Sequence, residues 1–321
     1  MSGVSRTILL GDIGGTNARF ALLSDGAPSH QYRQRTNDHR DPESAVRAYL
    51  DATGAPLPSI AVMAVAGPVR DGRARLTNAA WTFDPDKIED ELGIGRVVVV
   101  NDFAAQAWAL AELADKDVRP IGTGAEVETA PRLVIGAGTG LGAAAYMPAD
   151  AGMGERVVTG EAGHATLAAA DDGQEAVLRP LRLSYGRVSA ERVLSGPGLA
   201  ALAGAVAEMH GKDAPGTTPE AVLAAARAGD TVAGEAVALF RAFMGAFAGD
   251  LALVFGAWGG VYLSGGLVRA MEAELDAPAF REAFEAKGRF REAVAAVPAW
   301  IVTHPDPAFL GLARLARRLG D

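Results

Sequence analysis

The sequence predicts an α/β protein in two domains, built on a repeated strand, glycine turn and strand. Gly11-Asp12-Ile13-Gly14-Gly15-Thr16-Asn17-Ala18-Arg19 lies between the apolar runs Ile8-Leu9-Leu10 and Phe20-Ala21-Leu22-Leu23. Gly136-Ala137-Gly138-Thr139-Gly140-Leu141-Gly142 lies between Leu133-Val134-Ile135 and Ala143-Ala144-Ala145-Tyr146. A third glycine pair, Gly265-Gly266, closes Val261-Tyr262-Leu263-Ser264 just before a helical stretch. Glycine permits positive φ and lets backbone N–H groups approach a ligand closely, so each place suits a nucleotide phosphate. In the first, Asp12 adds a carboxylate where a phosphate-bound cation can sit. This is not the P-loop, because no Gly-Lys-Ser/Thr follows, nor the dinucleotide fingerprint, because a strand rather than a helix comes next. A glycine-rich hairpin turn is the plain alternative for the first segment alone. The repetition points to a cleft made from duplicated halves.

Composition bounds the rest. The chain has 321 residues, of which 49% are hydrophobic, enough for a large core and better suited to two domains than one. It has no cysteine, which excludes disulfides, thiolate metal sites and a cysteine nucleophile, and fits a reducing cytoplasm. The opening Met1 to Thr7 is short and polar, and no secretory segment or apolar span of about 18 residues is expected, so no membrane partner is either. A formal charge of -9 disfavours nucleic acid as a partner, while one nucleotide can still bind through backbone donors and Mg²⁺.

The glycine hairpin is followed by an extended run at 31–35 and a helix over 42–49. A strand is expected at 60–66, ended by Gly67-Pro68, and after the Asp71-Gly72 turn comes 73–77. Pro85 to Leu92 reads as a short helix with proline in its first turn. Val97-Val98-Val99-Val100 is apolar on both faces, as a central parallel strand requires, and delivers Asn101-Asp102 at its C-terminal end. Open α/β sheets bind ligands at that end. A helix over 103–113 leaves the sheet, and the chain crosses to the second domain after it. There, strands are expected at 133–135, 143–146, 156–158, 261–264 and 300–302, and helices at 172–183, 200–209, 233–252 and 280–290. A terminal helix at 309–319, with Leu312, Leu315 and Leu319 on one face, returns to the first domain. The domains are thus residues 1–113 with 303–321, and 114–302.

Three polar groups stand out. A carboxylate directly after four valines is costly unless it has partners or a use. Asp102 is therefore a candidate catalytic base, with an N-cap of the following helix as the alternative. Glu161 and His164 are separated only by Ala162-Gly163 and can bind several hydroxyls at once, as a sugar requires; a turn with a surface histidine is the other reading. Metal binding by His164 is disfavoured, since the five histidines show no His-Glu-x-x-His spacing. Glu191 lacks the Ser or Thr of a capping box three residues earlier, where Val188 stands. It is left as a ligand contact or a solvated helix-face carboxylate.

Taken together, these segments resemble the bacterial glucokinase family of the hexokinase, acetate kinase and actin-like ATP-binding superfamily. The resemblance spans nearly the whole chain. It rests on Gly11 to Arg19, Ala66-Gly67-Pro68, Leu76-Thr77-Asn78 with Trp81, Asn101-Asp102-Phe103, Gly136 to Gly142, Gly160 to His164, Ser189 to Gly198, Gly259 to Gly266 and Gly288-Arg289-Phe290. It implies a two-domain hexokinase/actin-like, ribonuclease H-like fold, with a mixed five-stranded sheet in each domain and the active site in the interdomain cleft. The implied reaction is transfer of the ATP γ-phosphoryl group to the 6-hydroxyl of glucose, with Asp102 as base.

Carried over by motif, the sugar contacts are Asn78, Asn101, Asp102, Glu161, His164 and Glu191. The ATP side is Asp12, Gly14, Gly15, Thr16, Asn17, Gly138, Thr139, Gly140, Gly265 and Gly266, with Mg²⁺ held by Asp12 through water. Many members have glycine where this chain has Ala162, a difference that bears on sugar affinity. The cofactors are then ATP and Mg²⁺, and a cytoplasmic homodimer is expected. A kinase of another hexose or of an N-acetylated amino sugar is the nearest alternative. An actin-like filament ATPase leaves Asn101-Asp102 and Glu161 to His164 without a task, and a sugar-responsive regulator lacks a basic helix-turn-helix before Gly11.

Overall fold

The computed structural model describes residues 7–24, 27–76, 80–150, 152–275 and 278–320. It divides into two compact units, Met1–Leu113 with Pro305–Asp321, and Ala114–His304.

The first unit opens with strands β1 (Ile8–Ile13), β2 (Asn17–Ser24) and β3 (Ala27–Arg35), joined as successive antiparallel neighbours. Helix α1 (Pro42–Thr53) starts at Asp41, whose carboxylate accepts the Ser44 N–H at 2.8 Å while the Ser44 hydroxyl faces back, a capping box with proline in the first turn. Strand β4 (Ile60–Val65) is buried along its whole length. A small antiparallel sheet follows, of β5 (Val69–Arg70), β6 (Arg73–Arg75) and β7 (Thr82–Phe83). Helix α2 (Pro85–Leu92), strand β8 (Arg96–Asn101) and helix α3 (Asp102–Ala109) complete this stretch. The main sheet has the order β3-β2-β1-β4-β8, with β1, β4 and β8 parallel. The period-2 alternation of the strands separates two cores. Leu9, Met63 and Val99 face one cluster with Val46 and Tyr49 of α1 and Ile88 of α2; Leu10, Val62 and Ala64 face the other.

The second unit begins with β9 (Val118–Pro120), then β10 (Arg132–Ala137), β11 (Leu141–Met147) and β12 (Arg156–Gly160). Helices α4 (Asp172–Tyr185), α5 (Gly196–His210), α6 (Pro219–Arg227) and α7 (Thr231–Phe255) follow. After them come β13 (Gly260–Ser264), short helices α8 (Gly266–Ala270), α9 (Glu272–Leu275), α10 (Pro278–Glu285) and α11 (Arg291–Ala295), and β14 (Ala299–Val302). Its sheet order is β12-β11-β10-β13-β14-β9. The first five positions repeat the order and directions of the first sheet; the sixth strand, β9, pairs antiparallel to β14 and corrects the expected five.

The last helix, α12 (Pro307–Gly320), belongs to the first unit. Phe309, Leu312, Ala313 and Ala316 fill the second core cluster against Leu10 and Val62, and fully burying a side chain such as Phe309 or Leu312 stabilises by about 1.5–3 kcal/mol. Helix α12 crosses α3 so closely that a Cβ on Gly311 would lie 1.8 Å from the Ala105 carbonyl oxygen.

Five expectations change. The helix after Asn101 stops at Ala109, not Leu113. The helix expected over 280–290 ends at Glu285, before Gly288 with its φ of 54°. Helix α6 was not anticipated, although Thr218-Pro219 marks its start and the Thr218 hydroxyl accepts the Ala221 N–H at 3.3 Å. Finally, α7 is long and apolar enough, 25 residues with a mean hydropathy of 1.7 over its most apolar window, to contradict the expected absence of such a span. Protein covers it: Phe240, Phe243 and Met244 are fully buried in the second unit's core. The chain returns at Pro305 rather than 303, because the Thr303 and His304 N–H groups donate to the Asp117 carbonyl at 2.8 and 3.2 Å, inside the second unit.

Candidate active site

The β1–β2 hairpin is held by backbone and by one threonine. The Gly14 N–H donates to the Asn17 carbonyl at 2.9 Å, the buried Thr36 hydroxyl donates to the Gly14 carbonyl at 2.8 Å, and the Thr36 N–H donates to the Thr16 carbonyl at 3.1 Å. Neither Gly14 nor Gly15 has positive φ, so the turn does not use the conformational freedom that glycine permits. What glycine supplies is room: a Cβ at Gly14 would meet nothing closer than the Asn17 carbonyl at 3.6 Å. Thr16 and Asn17 line a depression of about 390 Å³ with Arg33, Gln34 and Arg35, and Arg33 donates to the Asn17 side chain at 3.1 Å.

Strand register places Asp12 opposite Arg19. The Arg19 guanidinium lies 3.0 Å from Asp12 Oδ2 and, through its other terminal nitrogen, 2.5 Å from Asp306 Oδ1. Burial pushes the Asp12 carboxyl above the usual carboxylate range, Arg19 pulls it back, and Asp306 adds a smaller upward push. Sequence reading quoted Arg19 in the motif without giving it a task. Counting back from the turn, Ile13 pairs with Ala18 and Asp12 with Arg19, so hairpin register was the signal available. Nothing local pointed to Asp306.

Asn101 and Asp102 follow from the parallel pairing. Ile13 is in register with Val65, and Val65 with Asn101, so the glycine turn and the start of α3 emerge at one end of the sheet, two strand spacings or roughly 10 Å apart. Asn101 caps α3: its side-chain oxygen accepts the Phe103 N–H at 2.9 Å, and its amide donates to the Gly67 carbonyl at 3.0 Å. Asp102 is therefore the first helical residue and not the cap, although its Oδ1 shares the same N–H at 3.0 Å. Of the two amide hydrogens of Asn101, this arrangement uses one. Asn78 lies outside the described residues.

In the second unit, the β10–β11 turn closes with the Gly138 N–H donating to the Gly140 carbonyl at 2.9 Å, and the Gly196 N–H donates to the Gly138 carbonyl at 2.7 Å. Thr139 is exposed at its tip. Gly136 is in register with Ser264, so Gly265 and Gly266 emerge beside this turn. Gly265 has a φ of 104°, and a Cβ there would sit 2.3 Å from the Ala137 carbonyl oxygen, whereas Gly138 and Gly266 face open space.

The segments that carry Glu161, His164 and Glu191 meet at Leu141. Glu161 precedes the 3-10 turn Ala162–His164, whose Gly163 packs so close that a Cβ would lie 2.0 Å from the Leu141 carbonyl oxygen. The Leu141 N–H donates to Glu191 Oε2 at 3.0 Å, and a Cβ on Gly140 would lie 2.7 Å from the same oxygen. The two segments are themselves joined, since the Ala190 N–H donates to the Ala165 carbonyl at 2.8 Å. Glu191 is thus no solvated helix-face carboxylate: it sits in the 3-10 turn Ala190–Arg192 and organises the glycine turn beside it. Glu161 and His164 are exposed, and Arg187 donates to the His164 carbonyl at 2.8 Å. Ala162 packs against the core, which takes up the methyl that distinguishes it from glycine.

Each unit repeats one sheet topology and carries a glycine hairpin at the C-terminal end of its parallel strands, which defines the class: a hexokinase/actin-like ATP-binding protein. The sequence profile of the family described as Glucokinase matches residues 9–319. A glucokinase of Paramagnetospirillum magneticum is 41% identical over 315 residues, covering 97% of this chain and 98% of the relative. One of Chromohalobacter salexigens is 41% identical over 311 residues, covering 96% and 97%. The crystal structure of a glucokinase from an Antarctic psychrotroph superposes with a TM-score of 0.89 at 33% identity, covering 98% of this chain and 99% of that one. The chain belongs to the glucokinase family.

Proposed function

We infer that the protein transfers the γ-phosphoryl group of ATP to the 6-hydroxyl of D-glucose, giving glucose 6-phosphate and ADP. The observation that carries the assignment of roles is the register Ile13, Val65, Asn101, which brings the Asp12 turn and Asp102 to one end of one sheet. Asp102 accepts the 6-hydroxyl proton as the bond from that oxygen to phosphorus forms and the bond to the ADP oxygen breaks. Glu161, His164 and Glu191, with Asn101 and Asn78, hold the sugar hydroxyls, and a site built on such contacts rejects sugars lacking a hydroxyl better than apolar packing does. Backbone N–H groups of the turns at Gly14–Asn17 and Gly138–Gly140, with Gly265 and Gly266, take the nucleotide phosphates.

The donor set fits Mg²⁺. Mg²⁺ characteristically takes one or two carboxylates with substrate phosphates and water, and Asp12 beside the glycine turn is a carboxylate of that kind. Asp12 would hold it through water, and the chemistry it supplies there is neutralisation of phosphate charge. A cytoplasmic homodimer without nucleic-acid or membrane partners belongs to the same reading; the net charge of -9 disfavours nucleic acid, and light scattering tests the dimer. A coupled assay with MgATP over glucose, mannose, fructose, N-acetylglucosamine and N-acetylmannosamine tests the activity. Glucose gives the highest kcat/KM; a preference for another sugar, or turnover with ADP in place of ATP, overturns this reading.

A further inference from the structure

Arg19 is gripped from two sides by carboxylates 294 positions apart in the chain, Asp12 at 3.0 Å and Asp306 at 2.5 Å. Its side chain is 43% exposed, and a single ion pair at such exposure holds a long, flexible cation poorly. Two carboxylates on separate guanidinium nitrogens fix it far better. The second of them is set by a rigid element: Asp306 precedes Pro307, its carbonyl accepts the Phe309 N–H at 3.3 Å, and Phe309, Leu312 and Ala316 are locked in the core beneath β1 and β4. With both carboxylates ionised, the group also keeps one net negative charge where Arg19 and Asp12 alone would cancel. Cation binding benefits from that surplus.

We propose that Asp306 is a positioning residue for MgATP: from the start of α12 it fixes Arg19, which in turn holds the Asp12 carboxylate in one orientation and leaves the group attractive to a divalent cation. This rests on the assignment of Asp12 to the phosphate side. A merely structural Asp306 would affect both substrates alike, or only the docking of α12.

The test uses the full chain with Asp306→Ala, Asp306→Glu and Asp12→Asn, calorimetric titration with MgADP, steady-state KM for MgATP and for glucose, and thermal unfolding. Asp306→Ala is expected to weaken MgADP binding and raise the MgATP KM by about tenfold, the scale of losing a group that orients a metal-site carboxylate. The glucose KM and the melting temperature stay near wild type, and Asp306→Glu recovers most of the loss. If Asp12→Asn weakens MgADP binding and Asp306→Ala does not, the proposal falls and the phosphate assignment stands. If neither changes it, the phosphate assignment itself falls. Equal losses for MgATP and glucose, or a lowered melting temperature that accounts for the change, also overturn the proposal. Should Asp306→Ala fail to fold, the isosteric Asp306→Asn is read by the same criteria.

Discussion

The β1–β2 and β10–β11 hairpins occupy the same place in sheets of the same order, yet they are equipped oppositely. Where the first has the cross-strand pair Asp12 and Arg19, the second has Gly136 and Gly142. Counted from the last ladder pair, Ile13 with Ala18 and Ala137 with Leu141, these positions are equivalent. The first turn is braced by Thr36, whose hydroxyl and N–H bind the Gly14 and Thr16 carbonyls. The second is braced by Glu191 on the Leu141 N–H and by the Gly196 N–H on the Gly138 carbonyl. On the proposed roles the duplicated scaffold is divided: the charged pair and the base Asp102 lie in the first unit, and Glu161, His164 and Glu191 lie in the second.

The largest effect should come from the first unit's base. Asp102→Asn keeps the fold and much of the sugar affinity but lowers kcat roughly 10²- to 10⁴-fold, the scale of general-base catalysis; near wild-type turnover with glucose would falsify the division. Next comes the charged pair. Asp12→Asn removes the carboxylate and leaves Arg19 in the first hairpin, and the MgATP KM should rise about 10- to 100-fold while calorimetric glucose affinity holds. Equal weakening of both ligands would show that the hairpins are not specialised.

Two glycine variants sharpen the contrast in shape. Gly265→Ala forces a Cβ into the Ala137 carbonyl at a φ of 104°, so thermal unfolding should show a loss of about 1–3 kcal/mol. Gly14→Ala meets only ordinary contact at 3.6 Å and should keep stability within about 0.5 kcal/mol while raising the MgATP KM. The opposite pattern in the two melting curves would break the comparison. The last pair tests the sugar side: Glu161→Gln and His164→Ala each weaken glucose binding by about 1–3 kcal/mol per lost hydrogen bond with MgATP affinity unchanged. Collapse of MgATP affinity with glucose affinity intact would place both residues on the phosphate side.

Much of this was legible because it is local. Apolar runs closing on glycine gave both hairpins, and four valines followed by Asn101-Asp102 gave a parallel strand ending at a ligand position, since strand period and turn chemistry act over a few residues. The same reasoning offered the cap of α3 as the alternative role of Asp102, and Asn101 takes it: both are good caps, and only the Gly67 carbonyl, 34 residues away and bound by the Asn101 amide, separates them. It noted that glycine permits positive φ at each of the three places, and among the site glycines the structure has it at Gly265. Composition says that a glycine is needed; only the neighbouring Ala137 carbonyl says why.

The sequence by itself therefore determined most of the elements and the two glycine turns, because each depends on neighbours along the chain. Tertiary structure alone decided which groups act together. Asp306 reaches Arg19, Glu191 reaches the Leu141 N–H, and Gly311 lets α12 settle against the Ala105 carbonyl. Such pairings depend on strand register and helix packing summed over the whole core, and a hydrogen bond between residues 50 positions apart or an ion pair across 287 leaves no periodicity for a single sequence to show.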